Sequence, residues 1–377
     1  MTPTRSTFFA GAIDTKHPGG NAMDDLANGY SVIIAARWML VAVALCFVLY
    51  RPQSVAEITV GTLSVLGIAA LNFWLHTRPL TNRPLEANWA YLASVADLAV
   101  ISGLMLWQGS ASGQAYVFYF PAIVAYSLVF PAEVTFLLTS AMLTFVVKSG
   151  IDEGLDARVL VARLLTLLAT AVIGWRYRKV EERRREHRQK AAFARGVYAS
   201  ESPRIEEQED IFHGQIVCIT ARWCLIGGAI FLTLFRADNI ADMERALVPL
   251  LALVAANFFL QARYMMKLPA NSLLLQLGSL VDLGVATAII AAGNREFFVF
   301  YYPVILAYGL VFVRRATLVY TAVLALVYTS VIVLTGHGLR FDGDEEALAM
   351  RLVTLLGTTL LGTMYWRLQR ARRPVEA

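Results

Sequence analysis

Apolar runs of about 17 to 23 residues recur along this chain, separated by short polar or charged breaks. A helix rising about 1.5 Å per residue needs roughly that length to cross ~30 Å of hydrocarbon. Only helices and closed barrels satisfy their backbone groups in lipid, and these runs lack the polar–apolar alternation of barrel strands. The fold class they predict is an all-α membrane protein. Composition agrees: 57% of the 377 residues are hydrophobic and 16% are charged, against about 25% charged in soluble domains.

About twelve transmembrane helices are expected, near residues 30–50, 56–76, 87–108, 114–130, 132–148 and 157–176, then 213–235, 246–264, 271–292, 296–313, 315–335 and 347–366. The fourth and tenth are short and carry Pro121 and Pro303, so each reads as a kinked span or a re-entrant piece. The expected organisation is a mobile cytoplasmic tail (1–29), a first six-helix repeat (30–176), a charged cytoplasmic helix and linker (177–212), a second six-helix repeat (213–366) and a basic cytoplasmic tail (367–377). The N-terminal 25 residues lack the basic start, apolar centre and small-residue site of a secretory signal.

Charge sets the expected orientation. With twelve spans and a cytoplasmic N-terminus, 22 of the 33 Lys and Arg fall on the cytoplasmic side, seven outside and four within spans. That bias places both termini inside, and the localisation expected is the bacterial cytoplasmic membrane. A pI near 9.1 then follows from topology and from affinity for anionic lipid, with no nucleic-acid partner implied.

The two halves align. AARWML recurs as TARWCL, AALNFWL as AANFFLQ and SVADLAV as SLVDLGV, with Arg37 and Arg222, Asn72 and Asn257, and Asp97 and Asp282 each 185 residues apart. YVFYFPAIVAYSLVF recurs as FVFYYPVILAYGLVF at a spacing of 182, and RLLTLLATAVIG as RLVTLLGTTLLG at 188. Shared hydrophobicity alone does not put Arg, Asn, Asp, Tyr-x-Pro and Arg in one order at near-constant spacing. Six spans per half give both halves one orientation, so the repeats are parallel.

Charges within spans cost about 2.5–3.5 kcal/mol on insertion scales and are usually paired or functional. Arg37 and Asp97 lie roughly 11 and 15 Å from the cytoplasmic ends of their spans, within reach of each other. Arg222 and Asp282 would repeat the pair, with Asn72 and Asn257 adding to an intramembrane polar cluster. Two readings stand open: a clamp that fixes the bundle, or an ion, proton or ligand site. Arg163 and Arg351 lie nearer the outer face, where Tyr116, Tyr119, Tyr301 and Tyr302 begin the aromatic runs. These six read either as an aromatic belt with snorkelling arginines or as an outer-side pocket.

No catalytic, metal or cofactor motif occurs: GxxxxGK[ST], HExxH and GxSxG are all missing from the sequence. Cys46, Cys218 and Cys224 have no CxxC or His pairing and read as ordinary buried thiols. The five His fall at span ends or outside. Along RYRKVEERRREHRQKAAFA, the sixth helix is expected to continue to about Phe193, with Pro203 and EEQED closing the linker before the seventh.

Each half resembles the multi-span N-terminal sensing region of bacterial sensor histidine kinases. The resemblance is carried by the early Arg-Trp (Arg37-Trp38, Arg222-Trp223), the Asn of the second helix, the Asp of the third, the small-residue loops Gly109–Gly113 and Ala292–Asn294, and the aromatic-x-Pro helix. The charged helix after Gly174 is similar to the signalling helix that leads into such kinases. A phosphoacceptor His in H-E-x-R-x-P context is missing, since His187 sits in REHRQK, and the sequence ends at ARRPVEA where a kinase would begin. The resemblance therefore implies a duplicated input module without its output: a non-enzymatic membrane module whose partners are lipid and other membrane or cytoplasmic proteins, a second copy of itself among them. The alternative is a small-molecule or ion transporter, because two parallel six-helix repeats are also a carrier architecture.

Overall fold

The computed structural model describes residues 32–42, 44–45, 55–80, 87–107, 114–152, 154–194, 203–236, 240–266, 268, 272–291, 295–334 and 344–371. Every regular element among these is helical. In chain order they are α1 (Val32–Ala42), α2 (Val55–Leu80), α3 (Ala87–Trp107), a 3-10 turn (Gln114–Phe118) running into α4 (Tyr119–Val129), α5 (Ala132–Asp152) and α6 (Ala157–Ala194). Then follow α7 (Pro203–Arg236), α8 (Ile240–Met265), α9 (Ser272–Ala291), a second 3-10 turn (Arg295–Phe300) running into α10 (Tyr301–Val311), α11 (Arg314–Leu334) and α12 (Asp344–Ala371). The expected N-terminal tail, both small-residue loops and Cys46 lie outside the described residues.

Five helical stretches are long and apolar enough to cross a membrane: Ala132–Asp152, Ala157–Arg183, Gly214–Phe231, Arg314–Leu334 and Leu348–Tyr365. Five shorter apolar stretches accompany them, Tyr116–Val129 and Phe298–Val311 among them. By packing, the chain divides into two compact units, Met1–Ala96 and Asp97–Ala377. In the first, Ile34, Leu75 and Ala93 form one core cluster with Trp89 against it, and Val41, Ala44 and Val65 form a second.

The second unit is organised around α4 and α10, whose sequences are apolar on all sides. A helix of that kind must be enclosed, and every side chain of α4 is buried, as is every one of α10 up to Leu310. Helix α6 packs on α4, α5, α7 and α10, while α12 packs on α10, α11 and α4. Helices α5 and α11 leave large apolar side chains exposed, Leu137 at 70% and Leu326 at 67%, as lipid-facing side chains are.

Pro121 and Pro303 are each the third residue of their helix. Proline has no N–H for the carbonyl four residues back and its ring crowds that carbonyl, and upstream of each the chain winds as a 3-10 turn instead. The opposite end of each helix is a tight corner. Phe130 and Phe312 are extended (φ/ψ −89°/157° and −91°/157°), and their amides donate to the Tyr126 and Tyr308 carbonyls. Those carbonyls also accept from Thr135 Oγ1 and Thr317 Oγ1, both at 3.1 Å. One threonine thus ties the start of the next helix to the end of the last. Thr317→Val keeps the shape and removes the buried bond, and is expected to cost about 1 kcal/mol, read as a lower Tm of the purified protein in micelles.

Two expectations about the charged connection divide. Helix α6 runs unbroken to Ala194, as its charge-paired sequence predicts. Pro203 and the EEQED run do not close a linker: Pro203 opens α7 and the acids lie in its first turns. Proline is well placed in a first turn, and acidic side chains favour the positive end of the helix dipole.

Candidate functional site

A buried ion pair in the second unit joins α7 to α9. Arg222 Nε donates to Asp282 Oδ1 at 2.6 Å and Nη2 to Oδ2 at 2.8 Å, a planar two-point fit. Arg222 is 2% and Asp282 3% exposed, so each charge is compensated by the other away from solvent. Gly278 makes the approach possible, since a Cβ there would lie 2.7 Å from Arg222 Nη2. From α10, the Tyr308 hydroxyl donates to the Ser279 carbonyl at 2.8 Å, with Asp282 Oδ2 at 3.3 Å as a further acceptor. Tyr308 therefore touches the ion pair with its side chain and closes the α10–α11 corner with its carbonyl.

Helix α8 is tied to α7 by backbone contacts more than by charge. Asn257 Nδ2 lies 3.4 Å from the Ile219 carbonyl, Gln215 Nε2 donates to the Leu260 carbonyl at 3.0 Å, and Trp223 Nε1 donates to Gln261 Oε1 at 2.9 Å. Asn257 was expected beside the charges; its amide bonds the α7 main chain one turn before Arg222. In the first unit, Asn72 Nδ2 lies 3.5 Å from the Ile34 carbonyl, the position that aligns with Ile219. Arg37 Nη1 donates to the Ala93 carbonyl at 2.9 Å, and Ala93 aligns with Gly278. Arg37 lies in the first unit and Asp97 in the second, and both are buried.

The six outer-side residues are packed within the second unit, with Tyr116, Tyr119, Arg163, Tyr301 and Tyr302 buried and Arg351 half-buried. The tyrosines are enclosed by protein and are not displayed on its surface, as a lipid-facing belt would be. The Arg163 guanidinium lies 4.0 Å from the centre of the Tyr116 ring and that of Arg351 3.8 Å from the Phe298 ring, both within cation–π range. Tyr119 bonds Ser102 and Tyr301 bonds Thr287, each at 2.8 Å. Tyr302 shares a hydrogen with Thr354 Oγ1 at 2.7 Å, and Arg351 Nη1 donates to the Tyr328 hydroxyl at 2.8 Å.

Two contributors were not singled out from sequence. Tyr308 had a signal, because it aligns with Tyr126 in the repeat; Tyr328 had none, because Val146 stands at its counterpart. Among the described residues, no group of three His, Cys, Asp or Glu is gathered as a metal site. Chemically, the arrangement holds helices at fixed depth and rotation, since Arg222 with Asp282, Tyr308 with Ser279, Tyr302 with Thr354 and Arg351 with Tyr328 each join two different helices. No family model, no curated protein and no solved structure matches this chain.

Proposed function

We propose that this chain is a non-enzymatic integral membrane module of the bacterial cytoplasmic membrane that acts through protein partners, in signal input, regulation or complex assembly. In this reading it has twelve spans in two parallel six-helix repeats with both termini cytoplasmic, and it resembles a sensor region of histidine kinases. Five apolar helices, the Lys/Arg sorting and the aligned sequence halves support the membrane architecture. The observation that carries the role is the Arg222–Asp282–Tyr308 contact. The carboxylate is held at both oxygens by a buried guanidinium, which suits a fixed scaffold better than a site that must load and release an ion. One feature favours the transporter reading: the 3-10/α breaks at Phe118–Tyr119 and Phe300–Tyr301 occur at matching places, as broken helices do in carriers.

Reciprocal tagging in native membranes tests the role. The proposal expects a protein that co-purifies at a fixed ratio and retrieves this chain when it carries the tag itself. Ion- or proton-coupled uptake by proteoliposomes containing the chain alone, with no such partner, would replace the proposal with the transporter.

A further inference from the structure

We infer that the face joining residues 114–194 to residues 295–371 is self-complementary, so that the partner it fits is a second copy of the same repeat and the two halves form a covalently joined pair. The inference rests on the duplication in the proposed architecture and is independent of the partner-acting role.

In a two-fold interface, residues on the axis meet their own equivalents, and off-axis contacts occur in reciprocal pairs. Both signatures are present. Phe120 stacks on Tyr302, its equivalent at the 182-residue spacing, with ring centres 4.2 Å apart and planes 13° from parallel. Tyr177 meets Tyr365, its equivalent at 188, at 5.8 Å in an edge-on contact. The contacts lie at different depths: Arg163, linked through Tyr116 to Phe120, and Tyr177 are about 21 Å apart along α6 by the helical rise, so the two contacts define a line and not a point.

Away from that line the contacts reciprocate. The Gln114–Phe118 turn packs on α12 while the Arg295–Phe300 turn packs on α6, and α4 packs on α12 while α10 packs on α6. The aromatic chain reads alike from either end: Arg163 over Tyr116, Tyr116 edge-on to Phe120, Phe120 on Tyr302, Tyr302 edge-on to Phe298, and Arg351 over Phe298. A tandem contact between dissimilar faces would instead pair non-equivalent positions and leave each face open for a further copy.

The test makes the face homotypic in the full chain. Phe298→Tyr with Tyr302→Phe turns residues 298–302 into the YVFYF of residues 116–120; Tyr116→Phe with Phe120→Tyr makes both segments FVFYY. Both double variants are expected to purify as folded, monodisperse protein with Tm within about 2 °C of the parent, whereas Phe120→Ala lowers Tm at least twice as far. Homotypic variants as unstable as Phe120→Ala would overturn the inference, as would a Phe120→Ala protein indistinguishable from the parent. In a cysteine-free background, Tyr177→Cys with Tyr365→Cys should cross-link within one chain and Tyr177→Cys alone should give no chain-to-chain dimer. Dimers from the single variant would show the face open to another molecule and contradict the internal pair.

Discussion

Asp282→Asn alone is expected to remove most of the folded protein from the membrane, and adding Arg222→Gln to restore much of it. The single change leaves a guanidinium at 2% exposure without its counter-charge. Breaking a buried pair from one side typically costs about 3–5 kcal/mol, while replacing both partners is often near neutral. Arg222→Gln alone fails for the mirror reason, stranding the Asp282 carboxylate. Tyr308 keeps its bond to the Ser279 carbonyl in every variant, so the α10–α11 corner is not lost with the charges. The measurement is the monodisperse fraction after mild extraction, with Tm on whatever survives. Folded single variants that lose a coupled flux would show that the pair works as a site and is no clamp.

The second large effect concerns two close crossings. A Cβ on Gly174 would run into Ser127 Oγ and, at 2.6 Å, Ser127 Cβ, so α4 and α6 meet because position 174 has no side chain. Small residues serve membrane helices in this way. Gly174→Ala should therefore cost about 1–3 kcal/mol as overpacking. Ser127→Gly should rescue it, because the corresponding crossing of α10 and α12 already uses glycine on both sides, Gly309 and Gly362. There a Cβ on Gly362 would lie 3.2 Å from Gly309 Cα and 3.7 Å from the Leu306 carbonyl. Those neighbours are main chain, so no side-chain trimming relieves Gly362→Leu. Failure of Ser127→Gly to rescue Gly174→Ala in a thermal-unfolding series would show that the crossing is not set by these two residues.

What could be read from sequence were the features that depend on depth and period. Counting residues into each span brought Arg37 and Asp97 within reach of each other, the repeat carried that to Arg222 and Asp282, and these two meet in a two-point contact. Acid–base spacing along residues 181–188 indicated a continuous α6. The features that escaped depend on local geometry or on neighbours. Pro203 followed by acids is equally a break or a helix start, and only the backbone distinguishes them. Pro121 suggested a kink, but not that the turn before it would wind as 3-10. Asn257 had the right depth to meet the Asp282 cluster, and its amide turns to the Ile219 carbonyl instead, a choice of helix rotation that no spacing records. The unit boundary at Ala96 falls inside α3, where no composition change marks it.

The central claim is that the two halves are parallel six-helix repeats, and side-specific labelling of single cysteines tests it most directly. In a cysteine-free chain in intact cells, cysteines at Gln53, Ser110, Asp238, Asn294 and His337 should react with a membrane-impermeant maleimide. Cysteines at Asn82, Ser200, Asn271 and Ala377 should react only after the cells are opened. Ser110 and Asn294 labelling from opposite faces would contradict the account, because equivalent loops of parallel repeats share one side of the membrane.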